Sequence, residues 1–251
     1  MSALKDRTVI ITGAAQGIGA AYALEIAQRG ANVVVSDILE CEDTVAAIKK
    51  KGGTALGLRC DVTDERSIND MMSKTLSTFG AIHGLVNNAA LFTTLPKQRF
   101  EQISAADFDR VMVVNVRGSF ECMKAVTPHM RKQKYGKIVN IASGTVFKGA
   151  PMMLSYVTSK GAIIAMTRCA ARELGSDGIR VNCLAPGLTM SEGVKSDSTW
   201  TGRMESTVAS RCLTREETPE DLIGSVCFLL SQDSDFMTGQ TIVVDGGAAM
   251  H

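Results

Sequence analysis

Three polar residues in the second half of the chain have the types and the spacing of a proton-transfer site. Tyr156 and Lys160 lie four positions apart in a stretch with helical periodicity, so one helix face carries both side chains. Ser143 lies 13 positions before Tyr156, at the end of a predicted strand. A phenol can give a proton to a carbonyl oxygen or take one from an alcohol, while a serine hydroxyl holds that oxygen. The set therefore predicts carbonyl reduction or alcohol oxidation, although a tyrosine and a lysine at this spacing also occur together by chance.

A glycine-rich segment, 12–19, joins the first predicted strand to the first predicted helix. Glycines let the backbone turn tightly and approach a pyrophosphate, and the N-terminus of the following helix offers free N–H groups and a positive dipole end. The alternative is a turn with a structural role only. We expect a dinucleotide to bind along Gly13, Gln16, Gly17, Ile18 and Gly19.

The end of the second predicted strand indicates which dinucleotide binds. Asp37 lies there, 24 positions after Gly13, where a carboxylate can accept both ribose hydroxyls of the adenosine and would repel a 2′-phosphate. Gln16 is not a cation, and positions 38–40 contain no arginine or lysine. These features predict NAD rather than NADP. The alternative role for Asp37 is to cap the next helix.

The expected chemistry requires a change in the pKa of Tyr156. The ordinary value for a phenol, about 10, is too high for a base at neutral pH. We expect the Lys160 ammonium and a positively charged nicotinamide ring to lower it to about 7. That shift corresponds to about 4 kcal/mol of differential stabilisation, which two close charges in a closed site can supply.

Short β-branched segments alternate with longer segments of helical periodicity along the whole chain. Segments such as Val33-Val34-Val35 are apolar on both faces, as in a parallel sheet covered by helices on both sides. The alternation predicts one α/β domain over residues 1–251, with a doubly wound parallel sheet of about seven strands. The predicted strands are 8–12, 32–36, 55–60, 84–87, 136–141, 180–184 and 241–244, and the predicted helices are 18–29, 41–51, 65–79, 105–132, 154–174 and 219–231.

The composition excludes several other classes of protein. The chain has a formal net charge of +1 and no long basic run, so we expect no nucleic-acid partner and no anionic-membrane partner. No apolar run approaches the ~18 residues of a membrane helix, and the N-terminus lacks a signal-peptide core. The seven cysteines form no C-x-x-C pair and do not cluster with the three histidines. This pattern predicts no catalytic metal and reduced thiols in a cytoplasmic protein.

The motifs, taken in order, resemble those of the short-chain dehydrogenase/reductase family over essentially the whole chain. They are Thr12-Gly13-x-x-x-Gly17-x-Gly19, Asp61-Val62, Asn87-Asn88-Ala89, Asn115, Ser143, Tyr156-x-x-x-Lys160 and Pro186-Gly187. The resemblance implies a Rossmann-type fold and a hydride transfer between NAD and a small alcohol or carbonyl compound. Ala90 departs from the family pattern, which often has glycine there, and this substitution is expected to narrow the nearby pocket.

The resemblance also implies roles for individual residues. Asn115 would complete a catalytic tetrad with Ser143, Tyr156 and Lys160 by holding a water that links Lys160 to solvent. A homotetramer is implied, with helices 105–132 and 154–174 at a dimer interface. Other cofactor contacts are expected at Asp61 and Val62 beside the adenine, at Asn87 and Ala89, and at Pro186, Gly187, Thr189 and Ser191 near the nicotinamide carboxamide. Asn87 and Asn88 have an equally plausible structural role, tying strand ends together.

The substrate end of the site is less defined by sequence. Aromatic residues fall in irregular segments, which predicts a compact, partly apolar pocket under a mobile lid near 188–216. The expected pocket residues are Phe92, Thr145, Phe147, Met153 and Trp200. Residues 191–195 and the terminal His251 resemble NAD-dependent family members that act on ring-bearing alcohols, and His251 is a candidate for reaching a neighbouring subunit.

Two other functions compete with an NAD-dependent dehydrogenase. The first is an NADPH-dependent 3-oxoacyl-carrier-protein reductase, which shares the fold and the tetrad and needs a basic pocket mouth for its acidic carrier. Lys148, Lys195 and Arg203 leave that possibility open, whereas Asp37 and Gln16 oppose NADPH. The second is a non-enzymatic NAD-binding sensor, which would not need all four tetrad residues.

Overall fold

The structure is a computed structural model that describes residues 4–202 and 204–250. This part of the chain forms a seven-stranded parallel sheet of order β3-β2-β1-β4-β5-β6-β7, which confirms the predicted doubly wound α/β fold. Expectations about Arg203 and His251 lie outside the described residues. The strands are β1 (Thr8–Thr12), β2 (Asn32–Asp37), β3 (Thr54–Arg59), β4 (Gly84–Asn87), β5 (Gly136–Ile141), β6 (Ile179–Pro186) and β7 (Thr241–Val244).

Helices cover both faces of this sheet. Each predicted helix is found within one or two residues of its expected ends, with one exception described below. The helices are α1 (Gly17–Gln28), α2 (Glu42–Lys50), α3 (Glu65–Phe79), α4 (Ala105–Met112), α5 (Gly118–Gln133), α6 (Thr145–Lys148), α7 (Leu154–Leu174), α8 (Glu192–Lys195), α9 (Ser198–Thr201), α10 (Met204–Ala209) and α11 (Pro219–Leu230).

The apolar strands divide the core into two layers. In β1, Val9 and Ile11 point into the layer that contains α1 and α11, whereas Ile10 points into the layer that contains α3, α5 and α7. Side chains alternate between faces because the period of a strand is two residues. Since both faces are buried, β1 consists entirely of buried residues and needs no polar alternation.

The prediction of a single continuous helix over 105–132 is wrong in one respect. The structure contains two helices, α4 and α5, joined by a wide π-helical turn at Val113–Arg117. The apolar periodicity continues through the turn, so the sequence pattern carries no sign of the extra residue. Such turns are rare and often lie at functional sites. Asn115, one of the predicted tetrad residues, lies inside this turn.

The strand order reverses between β1 and β4, because the chain proceeds outward through β2 and β3 on one side and through β5, β6 and β7 on the other. Ligands of open α/β sheets bind at the carboxyl ends of the strands near such a reversal. The loops after β1, β4, β5 and β6 meet there. The amide of Asn88 joins two of them, donating to the backbone oxygens of Thr12 at 3.1 Å and Gly13 at 2.8 Å.

Candidate active site

The glycine loop after β1 has the backbone conformation that its sequence requires. Gly13 and Gly17 have φ of 64° and 61°, in the left-handed region. A side chain on Gly13 would lie 2.7 Å from the Cα of Ala89, and one on Gly19 would collide with the Gly13 carbonyl oxygen. A side chain on Gly17 would instead reach only Ser191, at 3.9 Å. At Gly13 and Gly19 the backbone of the loop is therefore in close contact with neighbouring backbone atoms. At Gly17, open space lies beside the backbone.

That open space belongs to a cleft of about 650 Å³ at the N-terminus of α1. Gln16 precedes the helix without capping it, and the first turn contains no acidic residue. The helix therefore presents uncapped N–H groups and the positive end of its dipole to the cleft, which suits a pyrophosphate. Residues of the 188–216 segment, including Ser191 and Lys195, form part of the opposite wall.

Asp37 joins the glycine loop to the end of β2. Its carboxylate accepts hydrogen bonds from the N–H of Ala15 at 3.0 Å and from the N–H of Leu39 at 3.1 Å. It does not cap the next helix, because Cys41 occupies the N-cap position of α2. Arg59 pairs with Asp37 in the β2–β3 register and donates to the carbonyl oxygen of Ile38 at 3.1 Å. This cation beside the end of β2 was missed, because only positions adjacent to Asp37 in sequence were considered.

The other predicted cofactor residues on this side have visible structural roles. Asp61 accepts hydrogen bonds from the N–H of Thr63 at 2.8 Å and from its hydroxyl at 2.7 Å, which closes the turn after β3. The amide of Asn87 donates to the side chain of Asn140 at 2.8 Å, tying β4 to β5. Val62 is buried, and Ala89 donates its N–H to the Thr12 hydroxyl at 3.1 Å.

The three predicted proton-transfer residues come together at the wall of a second cavity, of about 300 Å³. Tyr156 and Lys160 lie on α7, and Ser143 follows β5. Tyr156 and Ser143 are 7% and 6% exposed, and a hydrogen bond links their side chains. The Nζ of Lys160 donates to the carbonyl oxygen of Ile141 at 2.7 Å and lies 5.7 Å from the centre of the Tyr156 ring.

Burial dominates the pKa of Tyr156 in this arrangement. Removal from water raises the pKa of the phenol to about 12, and the hydrogen bond with Ser143 offsets only part of the rise. Burial also lowers the pKa of Lys160 to about 8. The expected lowering of the Tyr156 pKa to about 7 depends on the positive charge of a bound nicotinamide, and it stays a prediction. Tyr156 is a protonated phenol at neutral pH and can donate to a substrate oxygen.

Asn115 positions this group from the π-helical turn. Its side chain accepts a hydrogen bond from the N–H of Leu91 at 2.8 Å and donates to the hydroxyl of Ser159 at 3.0 Å. Ser159 in turn donates to the carbonyl oxygen of Tyr156 at 2.7 Å. The amide thus connects the loop after β4 to α7, and its water-holding role stays a prediction.

Aromatic side chains form one wall of the catalytic cavity. The ring of Phe92 lies between Trp200 and Tyr156, with centroid distances of 4.5 and 4.9 Å. On Trp200, the Nζ of Lys97 lies 3.5 Å from the ring centroid. Thr145 and Met153 line the cavity together with Phe92 and Trp200, as do Lys148, Leu188 and Val194, which were not among the expected pocket residues.

Phe147 is the exception among the expected pocket residues. It packs against a separate apolar cluster that includes Ala142 and Ile163, and it is not among the side chains that line the cavity. The short helix α6 explains the difference, because successive residues of a helix face different directions. The irregular character of 144–153 in the sequence concealed that periodicity.

The segment after β6 closes the cavity opposite Tyr156. Pro186 ends the strand, Gly187 follows it, and Thr189 lies further along in the cavity wall. A side chain on Gly187 would collide with the carboxylate of Glu217, so only glycine fits this approach. Glu217 forms an ion pair with Arg211 at 3.2 Å, and both residues are buried. Burial raises the pKa of Glu217 to about 7, an effect that Thr189 and Arg211 partly oppose.

Two further observations concern the described residues, 4–202 and 204–250. They contain no group of three or more histidine, cysteine, aspartate or glutamate side chains placed to hold a metal ion. None of their helices combines the length and the apolarity needed to cross a bilayer.

Comparison with known proteins gives a consistent result. A family model described as Enoyl-(Acyl carrier protein) reductase matches residues 13–249. The subunit BbsD of (2S)-[(R)-hydroxy(phenyl)methyl]succinyl-CoA dehydrogenase from Thauera aromatica is 36% identical over 254 residues, with 98% of each chain covered. The 3-oxoacyl-(acyl-carrier-protein) reductase FabG of Staphylococcus aureus is 34% identical over 247 residues, which cover 97% of this chain and 98% of FabG. The crystal structure of levodione reductase superimposes with a TM-score of 0.90 at 30% identity, covering 97% of each chain.

A dinucleotide cleft at a strand-order reversal, joined to a buried tyrosine, serine and lysine, defines a nicotinamide-dependent oxidoreductase. The chain belongs to the short-chain dehydrogenase/reductase family. The predicted resemblance is thereby confirmed, and the residues of the cleft fit the nicotinamide cofactor that this family binds.

Proposed function

We propose that the protein is an NAD-dependent dehydrogenase that interconverts a small, ring-bearing alcohol and its carbonyl compound, with Tyr156 as the general acid and base. The observation that carries this proposal is the buried Tyr156–Ser143 pair in the wall of the 300 Å³ cavity. The aromatic wall of Phe92 and Trp200 supports a ring-bearing substrate, since aromatic rings pack favourably against one another.

Each residue of the site has a separate role in binding or in proton transfer. Ser143 holds the substrate oxygen and Tyr156 gives it a proton during reduction or removes one during oxidation. Lys160 and Asp37 would hold the two ribose groups of the cofactor, and Thr189 would contact the carboxamide. When bound, the nicotinamide supplies or accepts the hydride, and its positive charge in the oxidised form favours the Tyr156 phenolate. Phe92 and Trp200 exclude water from the reacting atoms.

The direct test is a screen of alcohols with NAD and of carbonyl compounds with NADH, including ring-bearing and sugar-like compounds. Turnover of ring-bearing compounds with NAD or NADH would support the proposal. Binding of NAD without turnover of any compound would favour the non-enzymatic sensor instead.

Replacing Asp37 by alanine should reduce the preference for NAD over NADP at least tenfold. The substitution removes an acceptor for the ribose hydroxyls and the negative charge that repels a 2′-phosphate, a loss of about 1–3 kcal/mol. Arg59, which pairs with Asp37 in the register of β2 and β3, keeps its positive charge beside the altered position. The preference is measured as the ratio of kcat/KM for the two cofactors.

Asp37→Asn is the matched control, because it can still accept the hydrogen bond from Ala15 that anchors the loop. It should relieve the repulsion of NADP without disturbing the glycine loop. If neither variant changes the ratio, another group selects the cofactor.

The principal alternative is an NADPH-dependent 3-oxoacyl-carrier-protein reductase. Arg59 favours it as a potential partner of a 2′-phosphate, although Glu40 lies 4.0 Å from its guanidinium. Lys148 lines the catalytic cavity and Lys195 lines the cleft, so two cations are available near the entrance. A kcat/KM for NADPH and a 3-oxoacyl thioester that exceeds the values for NAD and every alcohol would establish this alternative.

Replacing Trp200 by alanine should raise KM for a ring-bearing substrate about tenfold and leave the dissociation constant for NAD unchanged. The variant removes an aromatic wall and the contact with Phe92, which together are worth about 1–2 kcal/mol. Trp200→Phe keeps a ring and should lie close to the wild type. Initial rates and calorimetric NAD binding provide the two measurements, and an equal loss in both would assign Trp200 a purely structural role.

We also propose a cytoplasmic homotetramer with α4, α5 and α7 at a dimer interface and a mobile lid at 188–216. Phe120 on α5 is 47% exposed, which supports burial of that face by another subunit. The lid residues Met190, Trp200 and Met204 pack chiefly on one another and on Phe92 and Met153. Sedimentation would measure the mass of the assembly, and a monomer would contradict the tetramer.

A further inference from the structure

Two chain segments that are distant in sequence are joined beside the catalytic cavity. Thr189 and Glu217 form a parallel bridge, and the N–H of Met190 donates to the carbonyl oxygen of Glu217 at 2.7 Å. The guanidinium of Arg211 donates to the carbonyl oxygens of Leu188 at 2.9 Å and Arg215 at 2.8 Å. Backbone hydrogen bonds of the neighbouring residues Leu188 and Met190 therefore hold Thr189 in place, independently of its side chain.

The side chains at this junction are buried and paired. The hydroxyl of Thr189 donates to Oε1 of Glu217 at 2.8 Å, and Arg211 donates to Oε2 of the same carboxylate at 3.2 Å. The three residues are 3%, 4% and 5% exposed, in the order Thr189, Glu217 and Arg211. The only other hydrogen-bond partner found for the Thr189 hydroxyl among the described residues is the carbonyl oxygen of Gly187, at 3.3 Å.

The chemistry of these groups determines what Thr189 can offer to a ligand. Above its pKa of about 7, Glu217 is an ionised carboxylate, which only accepts hydrogen bonds, whereas the Arg211 guanidinium only donates them. A threonine hydroxyl has one proton and two lone pairs. Because both nearby partners of Thr189 are acceptors, its proton points into the protein and its two lone pairs are left to accept a hydrogen bond from the cavity.

We infer that Glu217 is a positioning residue that makes Thr189 a hydrogen-bond acceptor toward the cavity, so that it selects the amide N–H of a nicotinamide carboxamide. Arg211 supports this role by neutralising the buried carboxylate and holding its second oxygen. The inference rests on the proposed contact between Thr189 and the nicotinamide. It adds a buried acid–base pair, from the loop before α11, to the residues that orient the cofactor.

The variant Glu217→Gln reverses the direction of the hydrogen bond between residue 217 and Thr189, and the side chain keeps nearly the same shape. Arg211 can only donate, so the glutamine oxygen faces Arg211 and the glutamine NH₂ faces Thr189. The NH₂ group then donates to the threonine oxygen, which frees the threonine proton to point toward the cavity. Thr189 becomes a donor, suited to a carbonyl oxygen rather than an amide N–H.

Equilibrium binding of three ligands, measured at a pH well above the pKa of Glu217 so that its carboxylate is ionised, tests the inference without relying on turnover. The ligands are NAD, its 3-acetylpyridine analogue, in which a methyl ketone replaces the amide and removes the N–H donor, and ADP-ribose, which lacks the ring. The wild type should bind NAD about tenfold more tightly than the analogue, the value of one hydrogen bond. Glu217→Gln should abolish or reverse this preference and bind ADP-ribose as the wild type does, as measured by calorimetry.

The control and the remaining outcomes separate this inference from the proposed function. Glu216→Gln alters an exposed neighbouring carboxylate and should leave all three dissociation constants unchanged. A wild type that binds neither NAD nor ADP-ribose would overturn the proposed function. Normal binding of ADP-ribose by Glu217→Gln with an unchanged preference for NAD would overturn the inference alone.

A second pair of variants applies if Glu217→Gln does not fold. Thr189→Val removes the hydroxyl and should lower the preference for NAD over the analogue about tenfold, whereas Thr189→Ser should retain it. If Thr189→Val keeps the full preference, the threonine hydroxyl is not the selecting group and the inference is wrong.

Discussion

Replacing Tyr156 by phenylalanine is expected to lower kcat/KM about 10³-fold while leaving the dissociation constant for NAD within about twofold. The substitution removes a single oxygen from a residue that is 7% exposed, so the ring can keep its contact with Phe92. The loss falls on proton transfer, because the variant keeps the ring and removes only the hydroxyl that is paired with Ser143. Steady-state rates and calorimetric binding of NAD measure the two quantities.

Tyr135→Phe is the matched control for this change. Tyr135 lies next to β5 at the opposite end from the site, with its ring against Arg7 and Arg180, and its hydroxyl has no hydrogen-bond partner among the described residues. That variant should keep full activity. Substantial turnover by Tyr156→Phe would show that another residue transfers the proton.

Replacing Lys160 by alanine is expected to lower kcat/KM about 10²-fold at neutral pH and to weaken NAD binding about tenfold. Burial lowers the pKa of Lys160 to about 8, so the side chain is mainly an ammonium at pH 7 and loses its proton as the pH rises through 8. The wild type should therefore lose its advantage in NAD affinity between pH 7 and 9. The affinity of the alanine variant should show no such change over that range.

Lys160→Met provides the matched comparison, because it keeps most of the side-chain volume and removes the charge. It should behave like the alanine variant in binding and activity but unfold at a higher temperature, since it leaves no cavity. Dissociation constants that depend equally on pH in all three proteins would show that Lys160 does not titrate in the binding reaction.

The elements that carry the motifs were predictable because their signals are local. The β-branched runs and the glycine loop follow from residues within a few positions of one another, and Tyr156 and Lys160 needed only helical spacing. Once the strands are parallel, the residues that follow β1, β2, β5 and β6 must meet at one edge of the sheet. The positions of Gly17, Asp37, Ser143 and Thr189 are consequences of that rule.

The features that sequence reasoning missed depend on distant contacts. Arg59 reaches the neighbourhood of Asp37 only through pairing of β2 with β3. Glu217 and Arg211 lie in an irregular segment, and their burial beside Thr189 cannot be inferred from spacing. The burial that raises the pKa of Tyr156 is likewise a property of the folded cavity, because the sequence does not show how far the phenol is removed from water.

The aromatic wall has a practical consequence for solution studies. The chain contains one tryptophan, so its indole emission comes entirely from Trp200. That ring is 5% exposed and lies against Phe92 and under the ammonium of Lys97. The protein thus carries an intrinsic fluorescent reporter on the wall of its own cavity. A shift in tryptophan emission reports a change in the polarity or packing around Trp200, such as ligand binding, without any attached dye.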